Sequence, residues 1–211
     1  MTLPHAMPDS TSPTQAETLA RKRPKPGERR AQILQTLAAL LEQPGGERIT
    51  TAALAASLQV SEAALYRHFA SKAQMFEGLI DFIEQSVFVL VNQIQTQTAD
   101  VGARQAAQII TMLIRFAEKN PGMARVMVGD ALLLEHDRLQ QRMNLFFDKL
   151  EAALKQCLRE DAGAQGSAPP EAQVRAAVLV AFARGRLQRY ARSGFKRLPT
   201  EQLEACLALV L

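Results

Sequence analysis

The segment from Thr50 to Phe69 constrains the fold more than any other, because it has room for two helices and almost nothing between them. Thr50 stands where its side-chain oxygen accepts from the free amides opening a helix that turns Leu54, Ala55 and Leu58 inward, and Ser61 is placed to do the same for the next helix. Val60 and Leu65 flank that second cap as a hydrophobic staple, which fixes the angle at which the chain enters the helix. Only Leu58-Gln59-Val60 lies between the two. Helices joined by so short a link cross steeply, so a helix-turn-helix is the expectation.

The flanking sequence supplies partners for this unit. Ile33, Leu34, Leu37, Ala38, Leu40 and Leu41 recur at helical spacing and PGG at 44–46 stops them, predicting a first helix over 28–43. Ser71 and Gln74 have the spacing of a capping box opening a long helix whose apolar face is Met75, Phe76, Leu79, Ile80, Ile83, Val87 and Leu90. Further helices are predicted near 103–118, 121–129, 131–160, 171–192 and 200–210, the last capped by Thr200. The fold class is all-α with nine helices. Three units follow: a disordered basic tail at 1–27, a helix-turn-helix domain at 28–73, and a helical dimerisation and partner-binding domain at 74–211. Val174, Ala177, Val178, Ala181, Phe182, Leu203, Leu207 and Val210 offer more apolar surface than one neighbouring helix covers, which predicts a homodimer joined as a four-helix bundle.

Composition restricts the partners. The formal net charge is +4, yet residues 21–72 hold nine Lys or Arg against four Asp or Glu, so most of the surplus sits at the N-terminal end. Such a bias fits a polyanion, because basic side chains release the counterions condensed on phosphates. The tail, with its run RKRPKPGERR, is either a solvated leader or a basic arm for DNA. No run of about 18 apolar residues and no secretory signal is present, so a cytoplasmic protein with no membrane partner is expected. Cys157 and Cys206 lack metal-ligand or redox spacing and are expected to be reduced core residues.

The chemistry concentrates in SEAALYRHF at 61–69. With Leu65 and Phe69 facing the core, Tyr66 lies about 100° and Arg67 about 200° round the helix from Leu65, so both point outward. A helix in the major groove reads base edges with its leading end, here Ser61, Ala63 and Ala64, whose small size admits close approach and methyl contact with thymine. The Tyr66 hydroxyl and Arg67 guanidinium suit phosphate oxygens. His68 is either a phosphate contact or a hydrogen-bonded structural residue. Lys72, in the first turn of the long helix, opposes the helix dipole and so is expected to face an external anion. Arg48, Thr50 and Thr51 form a second anchor where helix amides and hydroxyls can grip a phosphate.

The stretch ITTAALAASLQVSEAALYRHFASKAQMF resembles the DNA-binding domain of the TetR family. DFIEQS at 81–86, EKNPG at 118–122 and LEHDRLQQRMN at 134–144 extend the resemblance, over about 28–200, to the branch of that family that acts in nucleoid occlusion. It implies a dimer on palindromic double-stranded DNA that, when DNA-bound, inhibits assembly of the tubulin-like division protein FtsZ. It also places partner contacts at Phe82, Met112, Lys119 and Asn120, although Phe82 and Met112 are equally readable as core. Three positions depart from the pattern. Gln59 stands where the family commonly has Gly, and a left-handed conformation there costs a side-chain residue roughly 1 kcal/mol. Leu90 stands in place of Arg, and Arg115 in place of Gly, on the partner-facing surface.

The alternative is a ligand-responsive repressor of the same family, with Phe116, Met123, Met127, Phe146 and Phe147 placed to line a pocket, although Met and Phe at helical spacing are more often plain core. An enzyme is not expected. The three histidines and two cysteines are dispersed, no glycine-rich phosphate loop or nucleophile elbow is present, and no cofactor or metal is implied. His136-Asp137 is the one polar pair of note and is expected on a helix surface.

Overall fold

The computed structural model describes residues 27–44, 46–97, 102–133, 135–161 and 170–211. The basic tail, at 1–26, lies outside the described residues. Among those described the chain is all-α, with nine α-helices, two short 3-10 turns and no strand. The helices are α1 (Glu28–Glu42), α2 (Thr51–Ser57), α3 (Glu62–Tyr66), α4 (Lys72–Gln97), α5 (Ala103–Lys119), α6 (Pro121–Met127), α7 (Asp137–Asp161), α8 (Pro170–Arg192) and α9 (Leu203–Val210). The 3-10 turns are Gly46–Arg48 and Asp130–Leu132.

The small N-terminal head, α1 to α3, forms around Ile33, Leu37, Leu41, Leu54, Leu65 and Phe69, all essentially buried. Its caps are those the sequence predicts: Thr50 Oγ1 accepts from the Ala53 amide at 3.1 Å and Ser61 Oγ from the Ala64 amide at 3.3 Å. The link between α2 and α3 is a Schellman turn. The Gln59 amide donates to Ala56 O and the Val60 amide to Ala55 O, each at 3.0 Å, with Gln59 left-handed at φ 55. The body packs α5 among α4, α7 and α8. Ile109, Ile110, Leu113, Ile114 and Ala117 of α5 are fully enclosed.

Head and body meet along several elements, the two 3-10 turns among them. α4 passes from one to the other, and α1 lies along α6 so closely that a Cβ at Gly122 would come within 1.9 Å of Ala38 O. Arg125 of α6, itself buried, donates through Nη1 to Leu41 O at 2.5 Å and Gln43 O at 3.0 Å, satisfying carbonyls that the end of α1 leaves open. A strip of ion pairs ties α4 to α7: Glu77 to Arg138 at 2.7 Å, Asp81 to Arg142 at 2.5 Å, and Glu84 to Lys149.

Several expectations are corrected. The helix predicted to begin at 131 begins at Asp137. Gly129 is left-handed at φ 86, so the chain makes one 3-10 turn there and restarts. His136 opens the restart, its Nδ1 accepting from the Arg138 amide at 3.3 Å, and so caps α7 rather than merely marking a helix surface. Thr200 does not cap α9 with its side chain: its hydroxyl donates to Glu118 Oε2 at 2.5 Å, and α9 starts at Leu203 after a left-handed Gln202. On α4 the core position falls on Val91, leaving Leu90 half-buried. The capping box at Ser71 is offset by one residue, Gln74 Oε1 accepting from the Ala70 amide at 2.8 Å while Ser71 Oγ accepts from the Gln74 amide. Of the apolar surplus on the last two helices, Leu203 and Leu207 are buried within the chain, whereas Val174, Ala177, Val178 and Ala181 stay exposed along α8 and Leu209 along α9.

Candidate nucleic-acid interface

α3 is held from behind and offered in front. Leu65 and Phe69 sink into the head core, while Ser61, Ala63, Tyr66 and Arg67 are exposed and Ala64 is half-buried. Tyr66 is 45% exposed, as the helix angles require. The result is a short helix with a small-residue leading end and two long polar side chains at its trailing end.

His68 is half-buried and its carbonyl has a partner that spacing alone did not single out. Arg30 of α1 donates from Nη1 to His68 O at 2.6 Å, and its guanidinium lies 4.1 Å from the centre of the Phe69 ring. This places a stacked cation just beyond the C-terminal end of α3. One signal was available: Arg30 shares a helical face with Ile33, Leu34 and Leu37, so it has to approach the same interior edge.

The second anchor is divided. Arg48 is exposed on its 3-10 turn, and Thr50, though capping α2, keeps its hydroxyl proton free to donate. Thr51 does not, because its hydroxyl donates to Glu62 Oε2 at 2.5 Å, bracing α2 against α3. Lys72 also differs from expectation. Its ammonium pairs with the mostly covered carboxylate of Glu135, so the anion that accommodates a lysine in the first turn of α4 is internal.

A second feature lies on the body. α4, α5 and α9 enclose a groove of about 800 Å³ lined by Leu90, Ala107, Thr111, Met112, Arg115, Phe116, Lys119, Asn120, Leu207 and Leu211, among others. Three of the four partner positions implied by resemblance, Met112, Lys119 and Asn120, converge on it, as do both departing residues, Leu90 and Arg115. Phe82 is not among the lining residues. It stands 48% exposed on α4, about two turns before Leu90, and is not core. The five residues suggested for a ligand pocket do not gather there: Met127, Phe146 and Phe147 are buried in the core, Phe146 and Phe147 edge to face at 5.1 Å, and only Phe116 lines the groove.

Comparison with known proteins agrees with this architecture. Residues 33–79 match the family described as bacterial regulatory proteins, tetR family, and residues 103–211 match the SlmA-like tetracyclin repressor-like C-terminal domain. The nucleoid occlusion factor SlmA of Idiomarina loihiensis is 51% identical over 178 residues, covering 84% of this chain and 90% of that protein. SlmA of Shewanella sediminis is 49% identical over 177 residues, covering 83% and 89%. A transcriptional regulator from Rhodococcus superposes with a TM-score of 0.70 at 21% identity, covering 86% of this chain and 92% of that one. A TetR regulator from Legionella pneumophila gives 0.69 at 14%, covering 88% and 97%, so the fold persists where the sequence does not. With the capped helix-turn-helix at one end and these relatives spanning most of its length, the chain belongs to the TetR family of DNA-binding regulators and, within it, to the SlmA group.

Proposed function

We infer that this chain is a sequence-specific DNA-binding protein that acts as a nucleoid occlusion factor. Two copies join through the exposed Val174, Ala177, Val178 and Ala181 face of α8 and Leu209 of α9, burying apolar side chains that one protomer leaves exposed. Pairing sets two α3 helices into successive major grooves of a palindromic site. Ser61, Ala63 and Ala64 meet base edges, while Tyr66, Arg67, Arg48 and Thr50 contact phosphates, with Thr51 bracing the frame and His68 positioned by Arg30. Lys72, paired with Glu135, orients the start of α4 rather than meeting DNA.

Bound to DNA, the dimer antagonises FtsZ assembly through the groove between α4, α5 and α9, where Met112, Lys119 and Asn120 form the wall and Phe82 extends the surface along α4. The observation that carries this reading is the convergence of Met112, Lys119 and Asn120 on one open, largely apolar, cation-rimmed groove in a chain about half identical to proteins named nucleoid occlusion factors. An open apolar groove with charges at its rim can take the apolar face of an amphipathic segment from a protein partner.

Sedimentation of purified FtsZ with GTP tests it. Pelletable polymer should fall only when this protein and a duplex selected by it are both present. Loss of DNA affinity on adding small apolar molecules, with FtsZ polymer unaffected, would instead establish a ligand-responsive repressor.

A further inference from the structure

Between Arg184 and Arg197 the chain carries six Lys or Arg and no Asp or Glu. Four have local explanations. Arg184 stacks over Phe147 at 4.8 Å, and buried Arg186 donates to Pro199 O and Glu201 O at 2.8 Å each. Arg189 and Arg192 occupy the last turn of α8, where the helix dipole favours cations. Lys196 and Arg197 lie beyond the helix, where that dipole has decayed, and both are exposed.

The turn presenting them is built, not slack. It is a second Schellman turn, with the Gly194 amide donating to Ala191 O at 3.1 Å and the Phe195 amide to Tyr190 O at 3.0 Å. Ser193 Oγ accepts from the amides of Lys196 and Arg197 at 3.1 and 2.9 Å. Phe195 is held left-handed at φ 63, its ring 5.2 Å from Tyr190 and beneath the Arg125 guanidinium at 4.8 Å. Arg125 in turn grips the end of α1. Beside it, Arg192 lies 3.9 Å from Asp130, on the 3-10 turn that packs against the one carrying Arg48. The basic turn is therefore linked, through Arg192 and Asp130, to the 3-10 turn that leads into the N-terminus of α2, and lies at the end of the body that adjoins the head.

We propose that Lys196 and Arg197 bind the phosphate backbone of the duplex flanking the recognition site, as a sequence-independent contact surface separate from the helix-turn-helix. This rests on the DNA-binding reading, and in a dimer the two turns act symmetrically on both flanks. The contact adds to affinity and to its salt dependence without altering sequence choice.

The test is the full-length double variant Lys196→Gln, Arg197→Gln, whose turn keeps its bonds because they use backbone amides; an unchanged melting curve verifies this. Binding is titrated against salt on a selected duplex trimmed to the recognition site, and on the same duplex with about 15 base pairs of flank on each side, more than one helical turn. Affinity for the trimmed duplex should stay within about twofold, while on the flanked duplex the slope of log K against log salt should fall by about 1.8 per protomer for two phosphates. An unchanged slope on the flanked duplex overturns the proposal, as does equal loss on both duplexes. Loss of FtsZ response with duplex binding intact also overturns it, since the turn then faces protein. Arg67→Ala separates the premise: if that variant binds the trimmed duplex as tightly as the natural chain, the helix-turn-helix reading fails whatever the turn does.

Discussion

Replacing Gln59 by glycine should stabilise the protein, and the size of the gain follows from one dihedral angle. Gln59 is held at φ 55 by two bonds of the Schellman turn, Gln59 N to Ala56 O and Val60 N to Ala55 O. An L-residue with a Cβ costs about 1–2 kcal/mol in that region, because the Cβ crowds the following carbonyl. Glycine removes the crowding but adds about 0.4–1 kcal/mol of unfolded-chain entropy. The net expectation is about 0.5–1 kcal/mol in favour of Gln59→Gly, which for a chain of this size raises the melting temperature by roughly 1–4 °C. Thermal unfolding at fixed protein concentration is the assay, since association makes the midpoint depend on concentration. Gln59→Ala is the control: it keeps the Cβ, so it should gain nothing. A Gln59→Gly melting point equal to or below that of the natural chain, or a gain matched by alanine, refutes the claim that this turn is strained.

Gly122→Ala would drive a Cβ into the backbone of Ala38, so α1 and α6 must separate, and the urea midpoint should fall by the equivalent of about 3 kcal/mol. Val178→Asp puts a carboxylate on the exposed α8 stripe; sedimentation velocity should show monomer with helical content retained. The Tyr190 hydroxyl is raised above its ordinary value of 10.0 by burial first, then by the Glu118 and Glu42 carboxylates. Its contribution is complete below pH 10 and is lost as pH climbs beyond it, because the unfolded chain ionises first; Tyr190→Phe should flatten that alkaline decline in melting temperature.

What the sequence disclosed follows the range of each interaction. The caps at Thr50 and Ser61 were legible because donor and acceptor are three residues apart on one chain, and the outward sense of Tyr66 and Arg67 because helix geometry fixes angles from Leu65. Lys72 failed for the opposite reason: its carboxylate is Glu135, 63 residues away, and no local spacing announces it. Thr200 likewise looked like a cap and was claimed by Glu118, 82 residues off. The true start of α7 was hidden by Gly129, whose left-handed backbone breaks a pattern that apolar spacing alone reads as continuous. Leu90 and Val91 exchange roles because the 3.6-residue period permits either a three- or a four-residue step after Val87, and only packing chooses.

α1 is grasped at both ends, by Arg125 at its C-terminus and through Arg30 onto the His68 carbonyl near its N-terminus. A helix of 15 residues is a rod about 22 Å long, and over that length a tilt of about 5° carries the far end roughly 2 Å. α6 therefore holds the short handle of a lever whose long arm ends at the recognition segment. In the dimer proposed above, a tilt of that size begun at α6 would change how far apart the two α3 helices stand.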